Sequence, residues 1–87
     1  STANPMITIA IPTFNRASWL GDCVRSALSQ SYRNIEVLVS DNASTDDTQS
    51  VLREFSDPRL RSFAHPTNIG LMLNWNACLM AAKGELI

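Results

Sequence analysis

Charge is scarce in this chain of 87 residues. Asp, Glu, Lys and Arg make up 17% of it, against roughly a quarter of an ordinary globular chain, while apolar residues make up 45%. Such a chain is built to bury surface, which excludes intrinsic disorder. Neither sign dominates: the formal net charge is -1, and the densest basic stretch (Arg53, Arg59, Arg61) is interrupted by Glu54 and Asp57. A nucleic-acid partner needs a basic surface and is therefore not expected. Long hydrophobic runs are missing too, so no segment reads as a membrane span. The polar start, Ser1 to Pro5, lacks the basic and apolar regions of a signal peptide. Two cysteines, Cys23 and Cys78, lie far apart with no CxxC spacing and no paired histidine. They read as reduced, buried thiols, and a cytoplasmic setting is expected.

Several catalytic signatures are also absent. No GxGxxG follows the first apolar run, which argues against a dinucleotide dehydrogenase, and no GxxxxGK[ST] marks a P-loop. No GxSxG elbow supplies a hydrolase nucleophile. The single histidine, His65, sits just before Pro66 and reads as a surface or hydrogen-bonded residue.

What is present is alternation. Met6 to Ile11 and Ile35 to Val39 are continuous apolar, β-branched runs, ended by Pro12 and by Ser40-Asp41-Asn42. Runs of this kind are strands buried on both faces of a parallel sheet. Arg61 to Ala64 is a weaker third strand, and Glu85-Leu86-Ile87 begins a fourth. Leu20, Val24, Ala27 and Leu28 form one helical stripe, widened by Trp19 and Cys23. Ser44 to Asp47 resembles a capping box opening a second helix, whose apolar face is Val51, Leu52 and Phe55 and which Asp57-Pro58 stops. The third helix is expected from Leu71 to Lys83, with Leu71, Trp75, Cys78, Leu79 and Ala82 on its core face and Gly84 as its stop signal. Trp19 and Trp75 are expected to pack in the core. The order β-α-β-α-β-α-β implies an α/β fold with a parallel sheet and right-handed crossovers. At 87 residues it is one domain with a modest core, and because the last strand has only begun, the chain is expected to be a fragment of a longer protein.

In an open parallel sheet, ligands bind beyond the carboxyl ends of the strands. That rule selects Pro12 to Arg16, Asp41 to Ser44 and His65 to Gly70, each polar and each leading into a helix N-terminus, where anions are favoured. Thr13 and Asn15 are candidates both for capping the first helix and for touching a ligand. Asp46 and Asp47 read as first-turn acids rather than a metal pair.

Four blocks, Ile11-Pro12-Thr13-Phe14-Asn15-Arg16, Asp41-Asn42-Ala43-Ser44-Thr45-Asp46-Asp47-Thr48, Asn68-Ile69-Gly70 and Lys83-Gly84-Glu85-Leu86-Ile87, together resemble family 2 of the glycosyltransferases, of GT-A fold. The resemblance covers nearly the whole chain. It implies the Rossmann-like, nucleotide-binding half of such an enzyme over residues 1–87: three parallel strands plus the start of a fourth, with three helices. It further implies transfer of a sugar from a nucleotide diphosphate donor, a UDP- or dTDP-sugar, to a carbohydrate or lipid-linked hydroxyl acceptor with inversion, as in cell-envelope polysaccharide biosynthesis. By the same resemblance Pro12, Thr13 and Arg16 cradle the nucleotide, Asp41 accepts from the base, Gly70 lets the backbone approach the ligand, and Asn76 faces the cleft. The family departs from this chain at Asn42, where many members carry an acid, at Ala43, where many carry Gly, and at Trp75 and Cys78. The divalent metal (Mg or Mn) that the resemblance implies has its ligands past Ile87, as does the catalytic base, so the fragment is expected to be inactive alone. A non-catalytic nucleotide-binding module and a structural fragment forming homodimers through its open sheet edge remain as alternatives.

Overall fold

The computed structural model describes residues 5–86, with Glu85 and Leu86 described by backbone alone. The chain alternates as expected: β1 (Ile7–Thr13), α1 (Ala17–Leu28), β2 (Ile35–Asp41), α2 (Thr48–Arg53), β3 (Leu60–Ala64), α3 (Leu71–Ala81) and β4 (Glu85–Leu86). The strands form one parallel sheet in the order β3-β2-β1-β4. The α/β class and the parallel topology are those read from the sequence.

Strand β2 is buried at all seven residues, so both of its faces must be covered. Its odd-numbered side chains point one way. Ile35, Val37 and Val39 pack with Ile11 of β1, Leu20, Val24 and Ala27 of α1, and Leu52 of α2, in one apolar core. Its even-numbered side chains face α3, which packs on β1 and β2. There the residues are Glu36, Leu38 and Ser40, and the two polar ones need partners. The strand order explains the two layers. Progress from β1 to β2 to β3 runs in one direction across the sheet, and the β3-to-β4 connection runs back, so right-handed crossovers put α3 opposite α1 and α2.

Pro12 does not end β1. It lies inside the strand, paired in register with Ser40. Thr13 O accepts the Asn42 amide on the β2 side, so Pro12, one residue away, turns its missing donor toward β4. There the described pairing stops at Thr8, and no ladder bond among the described residues is lost. The capping box before α2 is not formed either. Ser44 Oγ accepts the Asn15 amide at 2.8 Å instead, and α2 starts only at Thr48. Neither Thr13 nor Asn15 caps α1, whose N-cap is Arg16 with no side-chain cap bond.

The third helix departs most from expectation. Only Asn74 and Cys78 are buried. Leu71 is 75% exposed, Leu79 40% and Trp75 37%, and Met72, Leu73 and Met80 are bare as well. The helix is apolar on nearly every side, so periodicity does not single out one stripe, and the sheet face is chosen by what Ser40 needs. Trp19 of α1 is likewise 51% exposed rather than core, because Leu20 and Val24 already fill the space over β2. Cys23 is half-buried and Cys78 buried, both as free thiols, and burial pushes each thiol above its ordinary value.

Glu36 gathers four elements at the amino-terminal end of the sheet. Its Oε2 accepts the Thr8 hydroxyl of β1 at 2.8 Å and the Lys83 amide at 3.0 Å, and its Oε1 accepts Arg61 Nε of β3 at 2.5 Å. Arg61 also donates to Ala81 O at the end of α3. Helix α3 stops because Ala82 is extended (ψ 136°). Gly84 does not take the left-handed stop conformation. Its role is close approach: a Cβ there would meet Met6 O at 2.7 Å, while its N–H donates to Thr8 Oγ1 at 2.9 Å.

Two outcomes follow for stability. Gly84→Ala forces β4 away from β1 and is expected to cost about 1–3 kcal/mol in urea unfolding. Glu36→Gln is expected to cost roughly 1.5–3 kcal/mol at neutral pH. Burial alone pushes the Glu36 carboxyl up, but the Lys83 amide, the Arg61 guanidinium and the Thr8 hydroxyl outweigh it and hold the group below its ordinary 4.5. A depressed folded value stabilises the fold above the unfolded value and stops doing so as pH falls through the folded one. The gap between the native chain and Glu36→Gln is therefore full at pH 7 and closes below pH 4.5, as paired unfolding curves at stepped pH will show.

Candidate functional site

A cleft of about 450 Å³ opens beyond the carboxyl ends of β1 and β2, lined by Pro12, Thr13, Phe14, Arg16, Asn42, Asn68, Gly70, Leu71 and Asn74. It lies where the strand order reverses, with α1 on one side and α3 on the other, which is where an α/β sheet leaves a crevice. Four of the six sequence-predicted site residues, Pro12, Thr13, Arg16 and Gly70, are among its walls. Asp41 and Asn76 are not. Asn76 is exposed on α3, and the inward-facing asparagine of that helix is Asn74, two residues earlier.

The walls are held by a set of loop-to-loop hydrogen bonds. Asn15, at φ 51°, receives Thr45 N on its Oδ1 at 2.7 Å and gives its own N–H to Ser44 Oγ. Asp46 Oδ2 accepts the Ala17 amide at the start of α1 at 3.1 Å, and its Oδ1 accepts the Thr48 amide and hydroxyl at the start of α2. The Thr48 hydroxyl above all holds the Asp46 carboxyl below its ordinary value. Asp46 thus serves two helix N-termini. Ala43 turns the loop at φ 61°, a left-handed position that costs a side-chain-bearing residue about 1–2 kcal/mol.

Asn42 does for the second and third loops what Asn15 does for the first and second. Its Nδ2 donates to Asn68 Oδ1 at 3.0 Å and to Gly70 O at 3.3 Å, and its Oδ1 accepts Ile69 N at 2.8 Å. An aspartate here would lack the donor. Gly70 takes φ 86°, ψ 161°, a region essentially restricted to glycine, although a Cβ there would touch nothing within 4 Å. Conformation, and not space, requires the glycine.

Behind the cleft lies a buried polar cluster. Asn74 is 2% exposed. Its Nδ2 donates to Ser40 O at 3.0 Å, and its Oδ1 accepts the Ser40 hydroxyl. His65 Nε2 lies 3.1 Å from Asn74 Oδ1 and 3.2 Å from Ser40 Oγ, while its ring meets Phe63 edge-on. His65 is therefore hydrogen-bonded, one of the two states, surface or hydrogen-bonded, expected of it. Phe14 and Asn42 fall within the loop segments that the strand-end rule selects without being singled out there, and Asn74 lies outside those segments. A signal for Asn74 was available: Gly70, Asn74 and Cys78 recur at a spacing of four, marking one helix face.

One polar atom in the site has no partner. Thr13 Oγ1 is the only fully buried side-chain N or O atom among the described residues without a hydrogen bond, in a residue 3% exposed that lines the cleft. Arg16 is exposed at the rim and makes no ion pair among the described residues. Asp41 is 1% exposed. Its Oδ1 accepts Ser44 N at 3.0 Å and its Oδ2 accepts Gln49 Nε2 at 2.7 Å. Among the described residues no three His, Cys, Asp or Glu side chains come together as a metal site would need, and both Asp46 oxygens are already engaged. These residues do not fit a divalent metal.

Comparison with known proteins agrees with this architecture. An uncharacterized glycosyltransferase of Haemophilus influenzae is 35% identical over 85 residues, covering 95% of this chain and 34% of that protein. The Escherichia coli UDP-Glc:alpha-D-GlcNAc-diphosphoundecaprenol beta-1,3-glucosyltransferase WfaP is 34% identical over 82 residues, covering 94% of this chain and 33% of that protein. Among solved structures, the mannosyltransferase PcManGT from Pyrobaculum calidifontis, in complex with GDP-Man and Mn2+, superposes with a TM-score of 0.87 at 30% identity, covering 98% of this chain and 27% of that one. The chain thus spans about a third or less of the length of these relatives. Residues 8–87 match the family described as Glycosyl transferase family 2. An alternating α/β chain with a polar cleft at its strand reversal, matched by that family over nearly its whole length, belongs to glycosyl transferase family 2.

Proposed function

We propose that this chain forms the donor-nucleotide half of an inverting glycosyltransferase that takes its sugar from a UDP- or dTDP-sugar and passes it to a hydroxyl acceptor. The observation that carries this reading is Thr13, a cleft-lining residue whose buried hydroxyl has no partner among the described residues. An orphaned buried polar group costs about 1–3 kcal/mol, and a ligand that bonds it removes that cost. Phe14 offers an exposed ring face at the cleft wall on which a base can lie. Arg16, at the rim without an ion pair among the described residues, offers a guanidinium fork that matches a diphosphate. Asp41 is the base reader: a carboxylate accepts from the N3–H of uracil or thymine and finds no such donor on cytosine. In the transfer, the acceptor oxygen forms its bond to the anomeric carbon as the bond to the diphosphate oxygen breaks. The nucleoside diphosphate leaves from the opposite face, and the acceptor proton passes to a general base. The relatives fit the general chemistry, since WfaP is named for UDP-Glc and PcManGT was solved with GDP-Man.

Titration with UDP followed by amide NMR tests this reading. Shifts are expected at Thr13, Phe14 and Gly70, and their absence at millimolar UDP in a folded sample argues against it. Thr13→Val is the sharper test. Removing an unpaired buried hydroxyl with little change of shape is expected to raise stability by about 1 kcal/mol while weakening UDP binding about three- to tenfold. A purely structural threonine would not show opposite signs in the two measurements. Asp41→Asn is expected to abolish the preference for UDP over CDP in the same titrations.

The bare apolar side chains of α3 favour a second reading, in which copies of this chain associate. Sedimentation at rising concentration is expected to show dimer under that reading, and a monomer throughout rejects it.

A further inference from the structure

The two oxygens of Asp41 are held in different ways. Oδ1 accepts a backbone amide, Ser44 N, which cannot leave without remaking the turn. Oδ2 accepts Gln49 Nε2 at 2.7 Å, and Gln49 is an exposed side chain in the first turn of α2. With Asp41 only 1% exposed, Gln49 is the movable part of its surroundings. Thr13, the register partner of Asp41, lines the cleft, so this carboxylate stands one strand away from it. A primary carboxamide sets an N–H donor beside a C=O acceptor, the same pairing that N3–H and its flanking carbonyl present on uracil or thymine.

We infer that Gln49 is a specificity-determining residue, whose carboxamide occupies Asp41 Oδ2 as an internal stand-in for the pyrimidine base and is displaced when a uracil or thymine ring binds. The inference rests on the reading of Asp41 as base acceptor given above. Binding of uracil exchanges one N–H···O bond for another, and the freed amide turns to water. Cytosine has no proton on N3 and cannot make the exchange, so Gln49 stays and the ring is kept from the carboxylate. The empty site never leaves a buried charge unpaired, and discrimination arises from competition as well as from fit. The cost is affinity, because the internal bond must break before the correct base binds.

The test uses Gln49→Ala beside the native chain, each titrated with UDP and with CDP. Loss of the competing bond is expected to tighten UDP about three- to tenfold and to leave CDP unchanged. In the native chain, the Gln49 side-chain amide resonances are expected to move on adding UDP and to stay in place with CDP. Unchanged or weaker UDP binding by Gln49→Ala, or a Gln49 amide unmoved by bound UDP, overturns the inference. Asp41→Asn separates the two levels of argument. If it abolishes the preference for UDP while Gln49→Ala changes nothing, the nucleotide reading stands and the role of Gln49 falls. If Asp41→Asn leaves that preference intact, or no chain binds UDP, both fall.

Discussion

Strand β2 has no exposed residue, and that burial governs most of what surrounds it. On one side its valines and isoleucine meet α1 and α2 in a dry layer that needs only volume and shape. On the other side the strand carries Glu36 and Ser40, and neither can be buried without partners. Glu36 draws in Thr8, Arg61 and the Lys83 amide, and Ser40 draws in Asn74. These two points, at opposite ends of the strand, hold α3 where it lies. The helix is seated by hydrogen bonds together with the buried Leu38 and Cys78 and not by a long apolar stripe, so its leucines and methionines are left outside.

The cleft follows from the same arrangement. Because the chain turns back after β3, the loops after β1 and β3 lie on opposite sides of a gap. Asn42, at the end of the fully buried strand, bonds to both: its amide N–H meets Thr13 O, and its side chain meets Asn68, Ile69 and Gly70. Asn15, Ser44 and Asp46 lock the first two loops together. With so many polar groups satisfied within the protein, the hydroxyl of Thr13, a cleft-lining residue, stands out as the one fully buried side-chain N or O atom among the described residues that the fold leaves without a partner.

Strain is concentrated in the same loops. Asn15, Ala43 and Gly70 account for the positive-φ residues among those described, and all three border the cleft or its supporting turn. Asparagine tolerates that conformation and glycine adopts it freely, but alanine does not. The cross-loop bonds on either side of Ala43 hold it there. Such a set of bonded, tightly turned loops is preorganised, which reduces the ordering that a ligand must impose on binding.

The amino-acid sequence by itself determined the α/β class, the order of the elements and the end of the sheet at which the cleft opens. These depend on local periodicity: Ile35 to Val39 reads as a strand buried on both faces wherever it is placed, and Leu20, Val24 and Ala27 read as one helix face. The four blocks of loop residues likewise marked the family, and Pro12, Thr13, Arg16 and Gly70 reached the cleft walls. Only the tertiary structure decided which faces were used. In α3 every side is apolar, so the burial of Asn74 and the exposure of Leu71 and Trp75 depend on Ser40, 34 residues earlier in the chain. Pro12 stays in β1 because its missing donor faces away from β2, a fact of strand order. Ser44 left its expected cap to bind Asn15 through a contact between loops, and Asp41 at the end of β2 acquired Gln49 from the first turn of α2. Local pattern records what a residue prefers next to its neighbours. Which buried polar group it must satisfy is settled only when distant segments meet.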